Sequence, residues 1–181
     1  MIGSWRATVY SLALKEGAVA VAEYRLTTIW QLDAPLERVW DVIYDSAAWP
    51  EWWPFVERVE ELKSGDANGL GALRRYTWRS RLPYKLSFEL EVTRSERPFW
   101  LEGRTRGDLQ GRGAWHLQSF DKATLVRYDW IVTTTKTWMN VFAPLARPLF
   151  TWNHHAVMRA GGRGLAERLG VPLIYAGPER R

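Results

Sequence analysis

The chain has 181 residues, of which 46% are hydrophobic and 25% are charged; this is the composition of an ordinary globular domain and excludes disordered and fibrous classes. Its formal net charge is +5, but the basic residues alternate with glutamates along the chain, so we expect no nucleic-acid partner. The absence of cysteine excludes disulfides and thiolate chemistry, and it favours a reducing compartment, so a cytoplasmic location is predicted. No apolar run approaches the ~18 residues of a membrane-spanning helix.

Residues 1–22 differ in pattern from the rest of the chain. A short apolar run within them weakly imitates a secretion signal, but Lys15 and Glu16 interrupt it where the apolar region should continue. We therefore predict a leader of uncertain structure, followed by one domain over residues 23–170 and a C-terminal tail over residues 171–181.

A strand and a helix open the predicted domain. Apolar and polar residues alternate from Glu23 to Leu32, which indicates a half-buried strand. Asp33 is then suited to cap a helix whose apolar residues recur at spacings of three and four. We expect this helix to end near Ser46.

Three indoles follow in a proline-containing turn. Trp49, Trp52 and Trp53 share this short segment with Pro50 and Pro54. Indoles in such a turn either cover the mouth of a cavity or dip into a membrane interface to collect a lipid. The three tryptophans are therefore predicted to form a cavity mouth, with peripheral membrane contact as the alternative.

Six further strands are predicted after the turn. Alternation and turn signals place them near residues 55–63, 72–79, 84–93, 99–106, 111–117 and 126–133. Because the connections are short, these strands are expected to form an antiparallel meander. In the last strand Arg127 and Asp129 share the outward face, which indicates a surface ion pair.

The chain closes with a change from a period of two to a period of 3.6. Eight apolar residues then fall on one stripe of a helical wheel: Trp138, Val141, Phe142, Leu145, Leu149, Trp152, Ala156 and Ala160. We predict a helix that is regular from about Arg147 to Leu169, with a kink or break near Pro144 and Pro148. One helix cannot fill the concave side of a wide twisted sheet, so a cavity is expected between them.

Twelve tryptophans make the predicted interior unusually aromatic. Many rings fall at strand positions that point the same way as the neighbouring aliphatic residues, and rigid rings leave gaps that can take up a hydrophobic ligand. The candidate cavity-lining residues are Trp30, Arg74, Tyr76, Trp78, Phe88, Phe99, Trp115, Tyr128, Trp130, Trp138 and Trp152. For each single ring, packing as ordinary core is the alternative interpretation.

Three stretches resemble a known group of proteins: residues 30–43, the tryptophan turn at residues 49–54, and residues 152–158 followed by Gly164 and Leu165. They resemble the first strand and helix, the tryptophan-bearing turn and the closing helix of the helix-grip, START-like (SRPBCC) superfamily, in particular its polyketide cyclase/dehydrase-like members. The resemblance covers residues 23–170. It implies an α+β fold in which a curved antiparallel sheet of about six to seven strands wraps around a long C-terminal helix, with two short helices after the first strand.

Such a resemblance carries little information about activity, because the superfamily spans cyclases, lipid carriers, hormone receptors and proteins without a known reaction. Catalysis must therefore be judged from the residues. No nucleophile motif and no glycine-rich phosphate loop are present, and no cofactor is expected.

Few polar residues are candidates for chemistry. His116, His154 and His155 do not converge in the predicted fold, so we expect no metal site. His154 is expected opposite the apolar stripe, at the surface or rim. His116 is expected to face water, unless a bulge turns it inward, where it would offer a general base. Arg74 leans inward and is suited either to hold a ligand carboxylate or enolate or to reach solvent from the strand end.

The leading hypothesis is a bacterial protein that binds a hydrophobic, aromatic or polyketide-like small molecule between the sheet and the C-terminal helix. Cyclase or dehydrase activity is left open. This hypothesis requires an internal space of at least about 300 Å³. The alternative is a lipid or quinone carrier acting at a membrane surface. The sequence does not indicate the ligand's identity or the oligomeric state.

Overall fold

The computed structural model describes residues 23–179, except for the side chains of residues 137–146. The predicted leader, residues 1–22, lies outside the described residues. The elements run in the order β1 (Glu23–Leu32), α1 (Leu36–Tyr44), a 3₁₀ turn (Ser46–Ala48), α2 (Trp49–Trp52), β2 (Val56–Lys63), β3 (Leu73–Arg79), β4 (Lys85–Glu96), β5 (Trp100–Gly107), β6 (Leu109–Phe120), β7 (Ala123–Thr134), α3 (Thr137–Leu169) and β8 (Leu173–Pro178).

All eight strands belong to one curved antiparallel sheet, in the order β2-β3-β4-β5-β6-β7-β1-β8. The predicted α+β helix-grip architecture is therefore confirmed. The sheet has one strand more than expected, because β8 forms within the segment assigned to the tail and pairs with β1. This strand is short, lies at the sheet edge and ends in Gly177 and Pro178, a composition that hides a strand in the sequence.

Strand pairing gathers the aromatic residues on the concave face. Trp30 of β1 lies opposite Val126 of β7, and Tyr128 of β7 lies opposite Trp115 of β6. Side chains alternate between the two faces of a sheet, so these residues all point toward α3. The indole N–H of Trp30 donates to the main-chain oxygen of Met158 on α3, at 3.1 Å.

The face of α3 that packs on the sheet differs from the predicted stripe. Leu149 and Trp152 are 45% and 46% exposed, whereas Phe150, Asn153 and Val157 are buried. The expectation that the stripe through Leu149 and Trp152 faces inward is therefore wrong. The inward face of α3 includes the polar residue Asn153 and, further along, glycines. A stripe predicted from apolar residues alone does not include such positions. The helix runs from Thr137 to Leu169, without an end near its two prolines.

The tryptophan turn clamps α3 and does not form a mouth. Trp49, Trp52 and Trp53 are only 7%, 8% and 1% exposed. The Trp53 indole N–H donates to the main-chain oxygen of Val157 at 3.0 Å, and that of Trp49 to the main-chain oxygen of Ile43 at 3.0 Å. Because their rings pack together and these two N–H groups have protein partners, the indoles lie inside the fold and present little surface to solvent.

Candidate ligand-binding site

Two cavities lie on the concave side of the sheet, one beneath α3 and one beneath the segment from α1 to α2. The helix-side cavity has a volume of about 130 Å³ and is bounded by β-strand residues, by the β3–β4 loop (residues 80–84) and by α3 residues from Phe150 to Met158. The α1-side cavity has a volume of about 50 Å³ and is bounded by Ser46, Trp49 and strands β3 to β7. Neither reaches the about 300 Å³ set above for the binding hypothesis, so the expectation of one large internal space is wrong, and in the described conformation the hypothesis survives only for a ligand the size of one aromatic ring.

Four aromatic residues form a wall shared by the two cavities: Trp78, Phe88, Tyr128 and Trp130. Tyr128 stacks on Trp115 with ring centroids 4.1 Å apart, and burial raises its pKa well above the ordinary value, so the phenol is neutral. Gly113 makes room for this phenol, because a Cβ there would lie 2.6 Å from the Tyr128 hydroxyl oxygen. The shared wall therefore depends on the close packing of these rings over Gly113, which has no side chain.

The polar groups of the helix-side cavity lie at its junction with the β3–β4 loop. Asn153 Oδ1 accepts from the Arg81 main-chain N–H at 3.0 Å and from the Ser80 hydroxyl at 3.2 Å. Asn153 Nδ2 donates to the Tyr84 hydroxyl at 3.3 Å. Burial of Tyr84 raises its pKa, so this phenol is also neutral. The Asn153 amide, the Ser80 hydroxyl and the Tyr84 phenol at this junction are polar and uncharged, and Arg79 borders the cavity beside them.

His154 lines the helix-side cavity, although the sequence predicts it at the surface or rim. The prediction is wrong because the inward face of α3 includes Asn153 and His154. His154 Nε2 lies 3.5 Å from the Thr28 hydroxyl oxygen. Burial, with a smaller contribution from His155, lowers the pKa of His154 to about 3, so its imidazole is neutral near pH 7.

The buried neutral state of His154 predicts a pH-dependent stability. The unfolded histidine has a pKa of 6.5, so between pH 6.5 and about 3 the unfolded state binds more protons, and the free energy of unfolding falls as the pH falls. Between pH 7.5 and pH 5 this amounts to about 2 kcal/mol. Urea unfolding should show that His154→Gln removes about that much of the decrease. His116→Gln, on the outer face, should remove less; an unchanged pH dependence in His154→Gln would contradict the assignment.

The α1-side cavity carries the only arginine among the predicted lining residues. Arg74 Nη1 donates to the Ser46 hydroxyl at 3.1 Å, and this hydroxyl is 2.8 Å from the Tyr76 hydroxyl. A second Arg74 nitrogen is 3.4 Å from Glu61 at the surface. Burial raises the pKa of Tyr76. The site thus combines a guanidinium, a hydroxyl and a neutral phenol.

Two N–H donors in these walls are buried and have no hydrogen-bond partner among the described residues. They are Arg74 Nε and Trp78 Nε1. An unpaired buried donor costs about 1–3 kcal/mol, and such groups are rare in folded proteins. Both side chains lie on the same face of β3, two alternate positions apart.

Seven of the eleven predicted lining residues border one or both cavities, and the structure thereby brings them together: Arg74, Tyr76, Trp78, Phe88, Trp115, Tyr128 and Trp130. Trp30 is 1% exposed and packs beneath α3, outside both linings. Trp138 lies where side chains are not described.

Phe99 and Trp152 do not line either cavity. Phe99 is 55% exposed because it lies in the turn before β5, where strand alternation does not apply. Trp152 is on the outer side of α3, with the Arg81 guanidinium 5.9 Å from its ring centroid. Both predicted positions are therefore corrected to the protein surface.

Ser46, Ser80 and Asn153 also supply polar groups to the site, although no sequence pattern indicates them. On the outer face of the sheet, Arg127 and Asp129 form the predicted ion pair, at 2.8 Å. His116 faces outward as well, 3.5 Å from the Trp100 ring between centroids, and burial lowers its pKa.

Among residues 23–179, no helix with described side chains is long and apolar enough to cross a bilayer. Within the same part of the chain, no group of three or more histidine, aspartate or glutamate side chains is arranged to hold a metal ion.

The curved antiparallel sheet and the long helix that it grips define the helix-grip fold. Residues 32–160 match the sequence profile described as polyketide cyclase / dehydrase and lipid transport, so the chain belongs to that family. A comparison with curated protein sequences finds no significant match.

Solved structures support the fold. TTHA0849 from Thermus thermophilus has a TM-score of 0.65 and 16% identity, over 80% of this chain and 99% of that chain. A START superfamily protein from Mycobacterium smegmatis has a TM-score of 0.65 and 13% identity, over 81% and 97%. The Zhui aromatase/cyclase from Streptomyces sp. R1128 has a TM-score of 0.63 and 16% identity, over 82% and 94%. At these identities the likeness concerns the fold alone.

Proposed function

We propose that this protein binds a hydrophobic, aromatic or polyketide-like small molecule in the helix-side cavity. The supporting observation is the lining, in which aromatic and aliphatic side chains surround a few polar groups, among them Asn153 and His154. Sites for apolar small molecules typically have this composition. Membership of a family described by cyclase, dehydrase and lipid-transport functions agrees with such a ligand.

The size of the cavity limits what binds without rearrangement. Its about 130 Å³ is close to the about 150 Å³ of an engineered apolar cavity that takes up benzene. One aromatic ring therefore fits the described conformation. A polycyclic ligand requires the shared wall to move, because the α1-side cavity lies directly beyond it.

The two buried N–H donors without a partner, Arg74 Nε and Trp78 Nε1, indicate which chemical group the ligand carries. A carbonyl, phenolate or carboxylate oxygen reaching the α1-side cavity would accept from Arg74 Nε, and one at the shared wall would accept from Trp78 Nε1. In a cyclase or dehydrase reaction, an enolate oxygen placed near Arg74 would be stabilised by its charge. The proposed ligand is thus an aromatic or polyketide-like molecule with acceptor oxygens.

Filling the cavity tests this proposal. Leu86 lines the helix-side cavity, and Leu86→Trp places a larger side chain in it. Isothermal titration with the one-ring probe 4-propylphenol should show at least a ~10-fold weaker affinity for Leu86→Trp than for the wild type, because the added ring displaces the ligand. Leu62→Trp is the matched control, since Leu62 is 41% exposed and lies outside both cavities. No binding to the wild type, or equal loss in the control, would refute the proposal.

The membrane-carrier alternative loses the feature that suggested it, because Trp49, Trp52 and Trp53 are buried. Among the described side chains, Leu149 and Trp152 of α3 are exposed apolar residues and hence candidates for lipid contact. Native mass spectrometry of the protein after exposure to a cell extract separates the two functions. A retained aromatic or polyketide mass supports the proposal, whereas a retained phospholipid or quinone supports the carrier.

A further inference from the structure

An open groove crosses the outer face of the sheet, on the side away from α3. We call it the outer groove; its lining includes Phe99 and Trp100 at β5, His116 of β6, Arg127 of β7 and Glu179, the residue that follows β8. Its volume is about 470 Å³, which lies within the range of small-molecule sites, whereas both internal cavities lie below that range. The outer groove is therefore a separate candidate site.

Strand register places the residues of the outer groove in one row. Trp100 lies opposite His116, His116 lies opposite Arg127, and Arg127 lies opposite Ile29 of β1. Residues directly opposite each other in neighbouring strands share one face of the sheet. The row therefore runs from an aromatic side, where the ring centroids of Trp100 and His116 are 3.5 Å apart, to a cationic side at Arg127.

Arg127 is the anion-binding group of this row. The Asp129 carboxylate accepts from Arg127 Nε at 2.8 Å and from Nη2 at 3.1 Å, and the Thr27 hydroxyl donates to the same carboxylate at 2.6 Å. These bonds fix the guanidinium and leave Nη1 for another acceptor. That acceptor is the carboxylate of Glu179. The outer groove thus already holds one carboxylate beside Arg127, supplied by the chain itself.

The contact between Arg127 and Glu179 is easily replaced. Their side chains are 37% and 51% exposed, and exposed ion pairs contribute little to stability. Because one carboxylate would take the place of another at Nη1, the charge of the site would not change. A carboxylate that also gains apolar contacts in the groove therefore has an advantage over Glu179.

The remaining lining of the outer groove supplies such contacts. Phe99 is 55% exposed beside Trp100, and Ile29 and Leu125 line the same space. The Arg94 guanidinium lies 4.1 Å from the centroid of the Trp100 ring, an attractive contact that holds the indole in place. An exposed phenylalanine next to a fixed indole offers aromatic surface on which another ring packs.

We propose that the outer groove binds a small aromatic carboxylate, which displaces Glu179 from Arg127. The carboxylate of this ligand accepts from Arg127 Nη1, and its rings lie along Phe99 and Trp100. Glu179 acts as an internal competitor, so its removal favours the ligand. The site differs from the helix-side cavity in its place on the sheet and in the acidic group that it requires.

NMR titration with 2-naphthoate tests this proposal. β5 and β7 are two strand spacings, about 10 Å, apart, a distance that two fused rings and a carboxylate span. The dissociation constant should be at or below ~1 mM, with the largest shifts in the side-chain signals of His116 and Arg127. The neutral analogue 2-naphthalenemethanol should bind at least ~10-fold more weakly, because it lacks the charge. Equal affinities for the two probes would overturn the carboxylate site.

Three variants and a matched control test the individual contacts. Arg127→Gln should weaken the binding of 2-naphthoate by at least ~10-fold, and Phe99→Ala by ~3-fold. Glu179→Gln should strengthen it by ~3-fold, because the internal competitor is removed. Arg58→Gln should leave it unchanged, since Arg58 pairs with Glu60 on β2 at 2.6 Å, outside the groove. An unchanged affinity in Arg127→Gln would overturn the site, and one in Glu179→Gln would overturn the displacement.

The outer groove and the helix-side cavity are distinguished by one further variant. Leu86→Trp fills the helix-side cavity and should leave the affinity for 2-naphthoate unchanged. If Leu86→Trp abolished this binding while Arg127→Gln did not, the probe would occupy the cavity, and the outer groove would be overturned with the proposed function intact. No binding of 2-naphthoate to the wild type would overturn the outer groove alone, because 4-propylphenol tests the cavity independently.

Discussion

Replacement of Gly164 by alanine is expected to lower the free energy of unfolding by about 3 kcal/mol, although the same change in an exposed helix position stabilises by about 0.5–1 kcal/mol. A Cβ at Gly164 would overlap the main-chain oxygen of Trp52. That oxygen belongs to the buried tryptophan turn, so it cannot move away without displacing the indole clamp. Overpacking of this kind costs about 1–3 kcal/mol. Urea unfolding followed by tryptophan fluorescence measures the difference.

Arg163→Ala is the control for this prediction, because Arg163 is the exposed neighbour in the same helical turn. Its replacement should change the stability by no more than about 0.5 kcal/mol. If Gly164→Ala were as stable as the wild type, α3 and the tryptophan turn would not approach each other as closely as the structure shows.

The sheet was predictable because strand alternation is a local property of the sequence. The pattern from Tyr84 to Thr93 predicts β4, and the inward orientation of Trp115 with the outward orientation of His116 follows from the same alternation. Burial on one face imposes this pattern directly, so each strand can be identified without knowing its neighbours. Only β8 was missed, since an edge strand of six residues is under no such constraint.

The rotation of α3 was not predictable in the same way. Leu149 and Trp152 are more apolar than Asn153 and His154, yet the latter pair faces the cavity. The helix packs against the β3–β4 loop and the tryptophan turn, and its rotation is set by hydrogen bonds to them and by close contacts at glycines. One such bond is donated by the Trp53 indole N–H to the main-chain oxygen of Val157. These are tertiary contacts, and the 3.6-residue period of apolar residues along the helix does not predict them.

The volume of the internal cavities could not be predicted from the sequence either. The aromatic positions were identified, but whether rings leave one large space or two small ones depends on how Tyr128 stacks on Trp115 over Gly113. Differences of an ångström in such stacking decide whether a void remains. The structure therefore has two small cavities separated by a shared aromatic wall, where one cavity was expected.

Trp78 is the residue of that wall whose removal should have the largest effect on binding. It borders both cavities, its N–H has no partner among the described residues, and it lies near the end of β3, just before the β3–β4 loop. Trp78→Ala is expected to join the two compartments and to lower the free energy of unfolding by about 3 kcal/mol, because its contact with Trp53 at 4.9 Å between centroids is lost.

Titration with 2-hydroxyanthracene, a phenol with three fused rings, should then show at least ~10-fold tighter binding to Trp78→Ala than to the wild type, because the joined space accommodates a longer ligand. The affinity for the one-ring probe 4-propylphenol should change less, since one ring already fits the helix-side cavity. Trp152→Ala removes a 46% exposed indole outside the cavities and should leave both affinities unchanged. If Trp78→Ala remained folded and bound both probes as the wild type does, Trp78 would not limit ligand size, and another member of the shared wall would have to separate the compartments.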